Sequence, residues 1–114
     1  QLCHRSDLYP RLKLAKARGA YPLHNGVALL TPRVCLRRRD SAAFFAPVAE
    51  PPQLAVVTAA AQRYKNELVA RRDGALSRKL EATWRGVLEA AGRSGAHHLV
   101  LSAIGCGAFS NPPE

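Results

Sequence analysis

A chain of 114 residues suits one domain with a buried core. Its hydrophobic fraction, 47%, is ordinary for a globular domain, and no run approaches the roughly 18 apolar residues of a membrane span. Seventeen Lys and Arg against eight Asp and Glu set the formal charge at +9, which admits a polyanion partner but brings no basic stretch interleaved with aromatics.

The chain opens Gln1-Leu2-Cys3 and contains no Met, so the N-terminus reads as a truncation. Ser6 to Arg18 reads as a helix with Pro10 near its start. Leu8, Leu12 and Ala15, with Leu14 as a further candidate, form its apolar side, and Arg11, Lys13, Lys16 and Arg18 its wet side. Gly19 suits its C-terminal cap. His24-Asn25-Gly26 is a turn signal. Val27 to Leu30 and Val34 to Leu36 follow as two short strands broken by Pro32. Arg37 to Gln53 reads as a loop, with Pro47, Pro51 and Pro52. It holds the tightest basic cluster, Arg37-Arg38-Arg39 beside Asp40. Phe44-Phe45 are expected to pack over the core edge, with an exposed aromatic contact as the alternative.

Leu54 to Ala61 is apolar without alternation, the pattern of a strand buried on both faces of a parallel sheet. After a polar stretch comes the clearest helix. Leu76, Leu80, Thr83, Trp84, Val87, Leu88 and Ala91 recur at helical spacing, and Arg78, Lys79, Glu81, Arg85 and Glu89 face out. Asp73 can cap its start, and Gly92 or Gly95 its end. Trp84 is expected in the core. His98 to Ile104 reads as a second buried strand that completes a β-α-β unit. Such units bind ligands beyond the carboxyl ends of their strands.

The three cysteines, Cys3, Cys35 and Cys106, are odd in number, far apart and without a C-x-x-C pair. No disulfide framework is expected, and the default compartment is a reducing cytoplasm. No metal site or cofactor is expected either. His97 and His98 are adjacent on the expected strand and would point to opposite faces.

The end of the chain carries the chemistry. Gly105-Cys106-Gly107-Ala108-Phe109-Ser110-Asn111-Pro112-Pro113-Glu114 directly follows the apolar run Leu99 to Ile104. Two glycines let the backbone turn sharply and expose N–H groups. Asn111 suits a helix N-cap, Pro112 the first helical position and Glu114 the third. Strand, glycine loop and helix start together form a phosphate cradle. The motif is short of a dinucleotide fingerprint, because Ser110 stands where a third glycine belongs. No base is visibly paired with Cys106, and no two acidic residues are grouped for acid–base work. The chain stops one turn into the helix, so this end also reads as truncated.

Three segments together resemble the microbial-type poly(ADP-ribose) glycohydrolases of the macrodomain superfamily. Leu2 to Pro10 looks like the segment that follows that family's catalytic signature. Val56 to Ala61 resembles its central strand, and Leu101 to Pro113 its diphosphate-binding loop. Order and spacing agree along essentially the whole chain, and the last segment is the most specific. The resemblance implies a three-layer α/β/α macrodomain with a mixed sheet, of which residues 1–114 form a single partial domain, incomplete at both ends. It implies binding of ADP-ribose or poly(ADP-ribose), alone or on a modified protein. Gly105, Cys106, Gly107 and Ala108 would offer backbone N–H groups to the diphosphate, and Phe109 would pack against the ribose region. Thr58 and Ala59 would line the cleft floor. The family's catalytic signature is a glycine triplet followed by Gln-Glu-Glu, and this chain begins just after that motif would end. No catalytic residue is therefore expected within it, although the parent protein would hydrolyse the O-glycosidic ribose–ribose bond. Two alternatives remain: a non-catalytic ADP-ribose-binding module, and a basic nucleic-acid-binding domain without a supporting motif.

Overall fold

The computed structural model describes residues 2–24, 26–61 and 74–104. In these, helices and strands are mixed in the order α1 (Leu2–Arg5), α2 (Leu8–Ala17), β1 (Ala28–Cys35), β2 (Gln53–Ala59) and α3 (Ala75–Arg93). The helix expected over Ser6 to Arg18 runs from Leu8 to Ala17, and Leu14, placed on its apolar side, is half exposed. A separate single turn, Leu2–Arg5, precedes it, with Ser6 and Asp7 between the two.

Both residues have other tasks. Ser6 bridges to Leu36, and its Oγ accepts the Leu8 N–H at 3.2 Å. The Asp7 Oδ1 accepts the Cys35 N–H at 2.9 Å, and its Oδ2 accepts from Arg11 Nε at 3.1 Å and Nη2 at 2.9 Å. This carboxylate ties α2 to the end of β1. Pro10 sits in the first turn of α2, where its missing N–H costs nothing. Gly19, at φ +80°, ends the helix. Its N–H donates to Lys16 O and that of Ala20 to Ala15 O, the paired bonds of a glycine C-terminal cap.

A turn closed by Val27 N–H to His24 O leads into β1. The two expected strand pieces are one strand. Thr31 pairs with Val56 and Val34 with Leu54, so β1 carries one extra residue there. Pro32, which has no ladder donor, and Arg33, at φ +51°, occupy this bulge.

β1 and β2 form a two-stranded antiparallel sheet among the described residues. The parallel arrangement expected of Leu54 to Ala61 is corrected: β2 runs back along β1, and Leu54 to Ala59 are half-buried rather than enclosed on both faces. His98 to Ile104 is likewise no strand. An extended apolar segment becomes a strand only where a sheet edge accepts its N–H and C=O groups. No ladder pairing among the described residues includes this segment. Leu99, Val100 and Leu101 are 48%, 95% and 51% exposed.

α3 packs across both strands, whereas α2 lies against β1. Val34 is fully buried, joined by Leu8 of α2, Thr31 of β1, and Thr83, Val87 and Ala90 of α3. The Thr83 hydroxyl donates to Lys79 O at 2.9 Å, which satisfies it within the core. The expected wet face of α3 is exposed throughout. Leu88, assigned to the apolar stripe, is half exposed, and Ala90 takes a buried place instead. The helix ends at Arg93, and Gly95, at φ +70°, follows its Ser94 cap. Asp73, the expected N-terminal cap, lies outside the described residues; Gly74, at φ +58°, takes that position.

Candidate functional site

A cleft of about 950 Å³ runs along β2 from Gln53 to Ala59, between that strand, α3 and the segment after α3. The amphipathic pattern of α3 turns Trp84, Val87 and Ala91 towards it. The volume falls in the range of small-molecule sites, and most of the walls are apolar. Trp84 is half-buried, a cleft wall rather than an enclosed core residue.

Besides Gln53 of β2, the polar and charged groups of the cleft come from two places. Arg33 reaches it from the β1 bulge, and His97 and His98 from the segment after α3. Ser94 and Ser102 also line it, the Ser94 hydroxyl donating to Ala91 O at 2.6 Å and accepting the Ala96 N–H at 3.2 Å. The two histidines correct an expectation: on a strand they would diverge, but the backbone here is irregular and both line the same cleft. Among the described residues no Asp or Glu lines it. Such a site favours an anionic ligand with flat apolar parts, and its described walls hold no carboxyl group for proton transfer to a glycosidic oxygen.

Of the cleft-floor pair, Ala59 lines the cavity and Thr58 does not. Thr58 is held in the ladder opposite Leu29, and Ala59 opposite Ala28; Thr58 alone of the β2 residues lies off the cleft. Ile104, the residue before the glycine loop, also lines the cleft. Gly105, Cys106, Gly107, Ala108 and Phe109 lie outside the described residues. Sequence reasoning missed Arg33 and the convergence of His97 and His98. The signal for Arg33 was Pro32, read as a strand break rather than as a bulge that re-aims its neighbour.

The loop between the strands forms a second distinct feature. Leu36 to Val48 folds back as a hairpin-like excursion: Arg39 N–H donates to Ala46 O and Val48 N–H to Arg37 O, both at 2.9 Å, around an Arg38–Pro47 bridge. Arg37 and Arg38 N–H groups both donate to Arg5 O, which seats the loop on α1. The Asp40 carboxylate accepts the Ala43 N–H at 3.1 Å and shapes the tip. There Phe44 and Phe45 take left-handed φ values of +50° and +55°, a strained conformation for bulky side chains. Phe44 is 93% exposed, so the core-edge packing expected of this pair is corrected. The tight tip turns this ring away from the body of the protein, and Phe45 alone is half-buried.

Asp7 is the group whose ionisation the structure shifts most clearly. Burial pushes its carboxyl up, but the Cys35 N–H, the hydrogen bond and charge of Arg11 and the charge of Arg37 outweigh burial, and it titrates below its ordinary value. Its role is to join α2 to β1, away from the cleft. No three His, Cys, Asp or Glu side chains among the described residues gather as metal ligands. No helix among those residues is long and apolar enough to cross a membrane. The chain matches no protein-family model, no curated protein and no solved structure.

Proposed function

We propose that these residues bind ADP-ribose, as part of a three-layer α/β/α macrodomain of the microbial-type poly(ADP-ribose) glycohydrolase kind. The ligand is free ADP-ribose, a unit of the polymer or ADP-ribose on a modified protein. Its diphosphate meets the backbone N–H groups of Gly105, Cys106, Gly107 and Ala108, Phe109 packs against the ribose region, and Ala59 supports the cleft floor. One observation carries this reading: Ala59 and Ile104, which lie within the two motif segments, line one apolar cleft together with Arg33, His97 and His98. An adenine and two riboses need apolar walls, and a diphosphate needs donors. Hydrolysis of the ribose–ribose bond in the parent protein belongs to the same reading, with its glutamates placed by the resemblance before Gln1. Binding is the part assigned to the residues in hand. The test is calorimetric titration with ADP-ribose, with AMP and ribose 5-phosphate as partial ligands. The expected result is saturable one-site binding that both partial ligands reproduce only weakly. No heat with ADP-ribose, from a folded sample, removes the proposal.

A further inference from the structure

We infer that the Leu36–Val48 excursion is a second binding surface, for single-stranded nucleic acid, separate from the cleft. Backbone hydrogen bonds bring a histidine and four arginines from two segments together there. His4 and Arg5 come from α1, and Arg37, Arg38 and Arg39 from the loop. The Arg5 Nε donates to Arg38 O at 3.2 Å, which fixes the two segments together. Arg37, Arg38 and Arg39 are exposed and form no ion pair among the described residues. Asp40 is the acidic residue within the loop, and its carboxylate is engaged with the Ala43 N–H.

Beside these arginines stand two aromatic rings of different exposure. Phe44 presents its faces to solvent at the tip. Phe45 lines an open recess of about 530 Å³ with His4 and Arg38. Guanidinium groups hold a phosphate chain, and an exposed ring stacks an unpaired base. A duplex hides the faces of its bases, so the exposed ring selects a single strand. A membrane surface fits less well: interfacial binding needs a contiguous apolar face, and the loop offers one ring among alanines and arginines. Both phenylalanines sit at left-handed φ values, and neither is buried in the core.

The experiment is fluorescence anisotropy of a labelled oligo(dT) of about 12 nucleotides, a length within the usual single-strand site size. Saturable binding that weakens steeply with salt is expected. Phe44→Ala should weaken it about tenfold with the salt slope unchanged. Arg38→Ala/Arg39→Ala should lower the slope of log K against log salt by about 1.4. Inorganic polyphosphate, which carries charge without bases, should bind wild type and Phe44→Ala alike, and both variants should melt as wild type does. Excess ADP-ribose should not displace the oligonucleotide, which keeps this test independent of the cleft. Four results overturn the inference: unchanged affinity in Phe44→Ala, loss of polyphosphate binding in that variant, displacement by ADP-ribose, or a stronger Phe44 dependence on anionic lipid vesicles than on the oligonucleotide.

Discussion

Gly86 of α3 lies backbone to backbone against Gly26 of the turn before β1: a Cβ on Gly86 would overlap the Gly26 carbonyl oxygen. A Cβ on Gly26 would in turn meet Ala82 O at 3.5 Å and would have to be borne at φ +77°. The close approach of these two glycines sets how deeply α3 beds against β1, and with it the position of Trp84 and Val87 on the cleft.

Gly86→Ala should therefore lower stability by about 1–3 kcal/mol, because backbone cannot yield as a flexible side chain would. It should do so despite a helix-propensity gain of about 1 kcal/mol. Gly92→Ala in the same helix, with nothing within 4 Å of its Cβ, should raise stability by about 0.5–1 kcal/mol. Urea unfolding of the pair separates the two effects, and equal midpoints would mean that the approach of α3 to the turn is not tight.

Asp7 supplies a pH dependence. Its folded pKa is depressed, so its contribution is complete above the ordinary carboxylate value of about 4 and is lost as pH falls through the lower, folded value. Asp7→Asn keeps an acceptor for the Cys35 N–H but loses the charge facing Arg11 and Arg37. The variant should be less stable than wild type at pH 7, and the gap should close in acid. Melting temperatures across that window check it; a constant gap would show that the charge plays no part.

The amphipathic helix α3, the C-terminal cap of α2 and the turn at Gly26 were legible in the sequence, because each follows from local spacing or from a glycine at a position of positive φ. The strand partners were not. Leu54 to Ala59 carries the same apolar run in a parallel or an antiparallel sheet, and β1 decides which. The apolar run at Leu99 to Ile104 predicts a strand, yet burial in a sheet depends on an edge that local pattern does not contain. Half of the cleft was legible for the same reason. Ala59 sits in a recognisable segment, whereas Arg33, His97 and His98 converge through a bulge and an irregular backbone.

Arg33 separates fold from function. It holds φ +51° in the bulge, where glycine is free of Cβ strain. Arg33→Gly should be at least as stable as wild type and should still bind ADP-ribose more weakly, by about fivefold, the loss of one exposed charge worth about 1 kcal/mol. Parallel melting and calorimetry read both; weakened folding with unchanged affinity would remove Arg33 from the site.

On the proposed reading, in which the glutamates of the resemblance lie outside residues 1–114, these residues alone should release no ADP-ribose from purified poly(ADP-ribose). Release of free ADP-ribose is the measurement. Turnover that survives Glu114→Gln would place the chemistry in residues assigned here to structure.

The diphosphate cradle at Gly105 to Phe109 is a proposal that one measurement can isolate. Calorimetric titration of ADP-ribose into wild type and Gly107→Val tests it most directly. A side chain at Gly107 would crowd the backbone approach and restrict the φ values open to the turn. Several charge-assisted hydrogen bonds of about 1.5–3 kcal/mol each would be lost. Wild type should bind, and a folded Gly107→Val variant should bind more than about a hundredfold more weakly. Equal affinity in the two proteins would contradict the proposal.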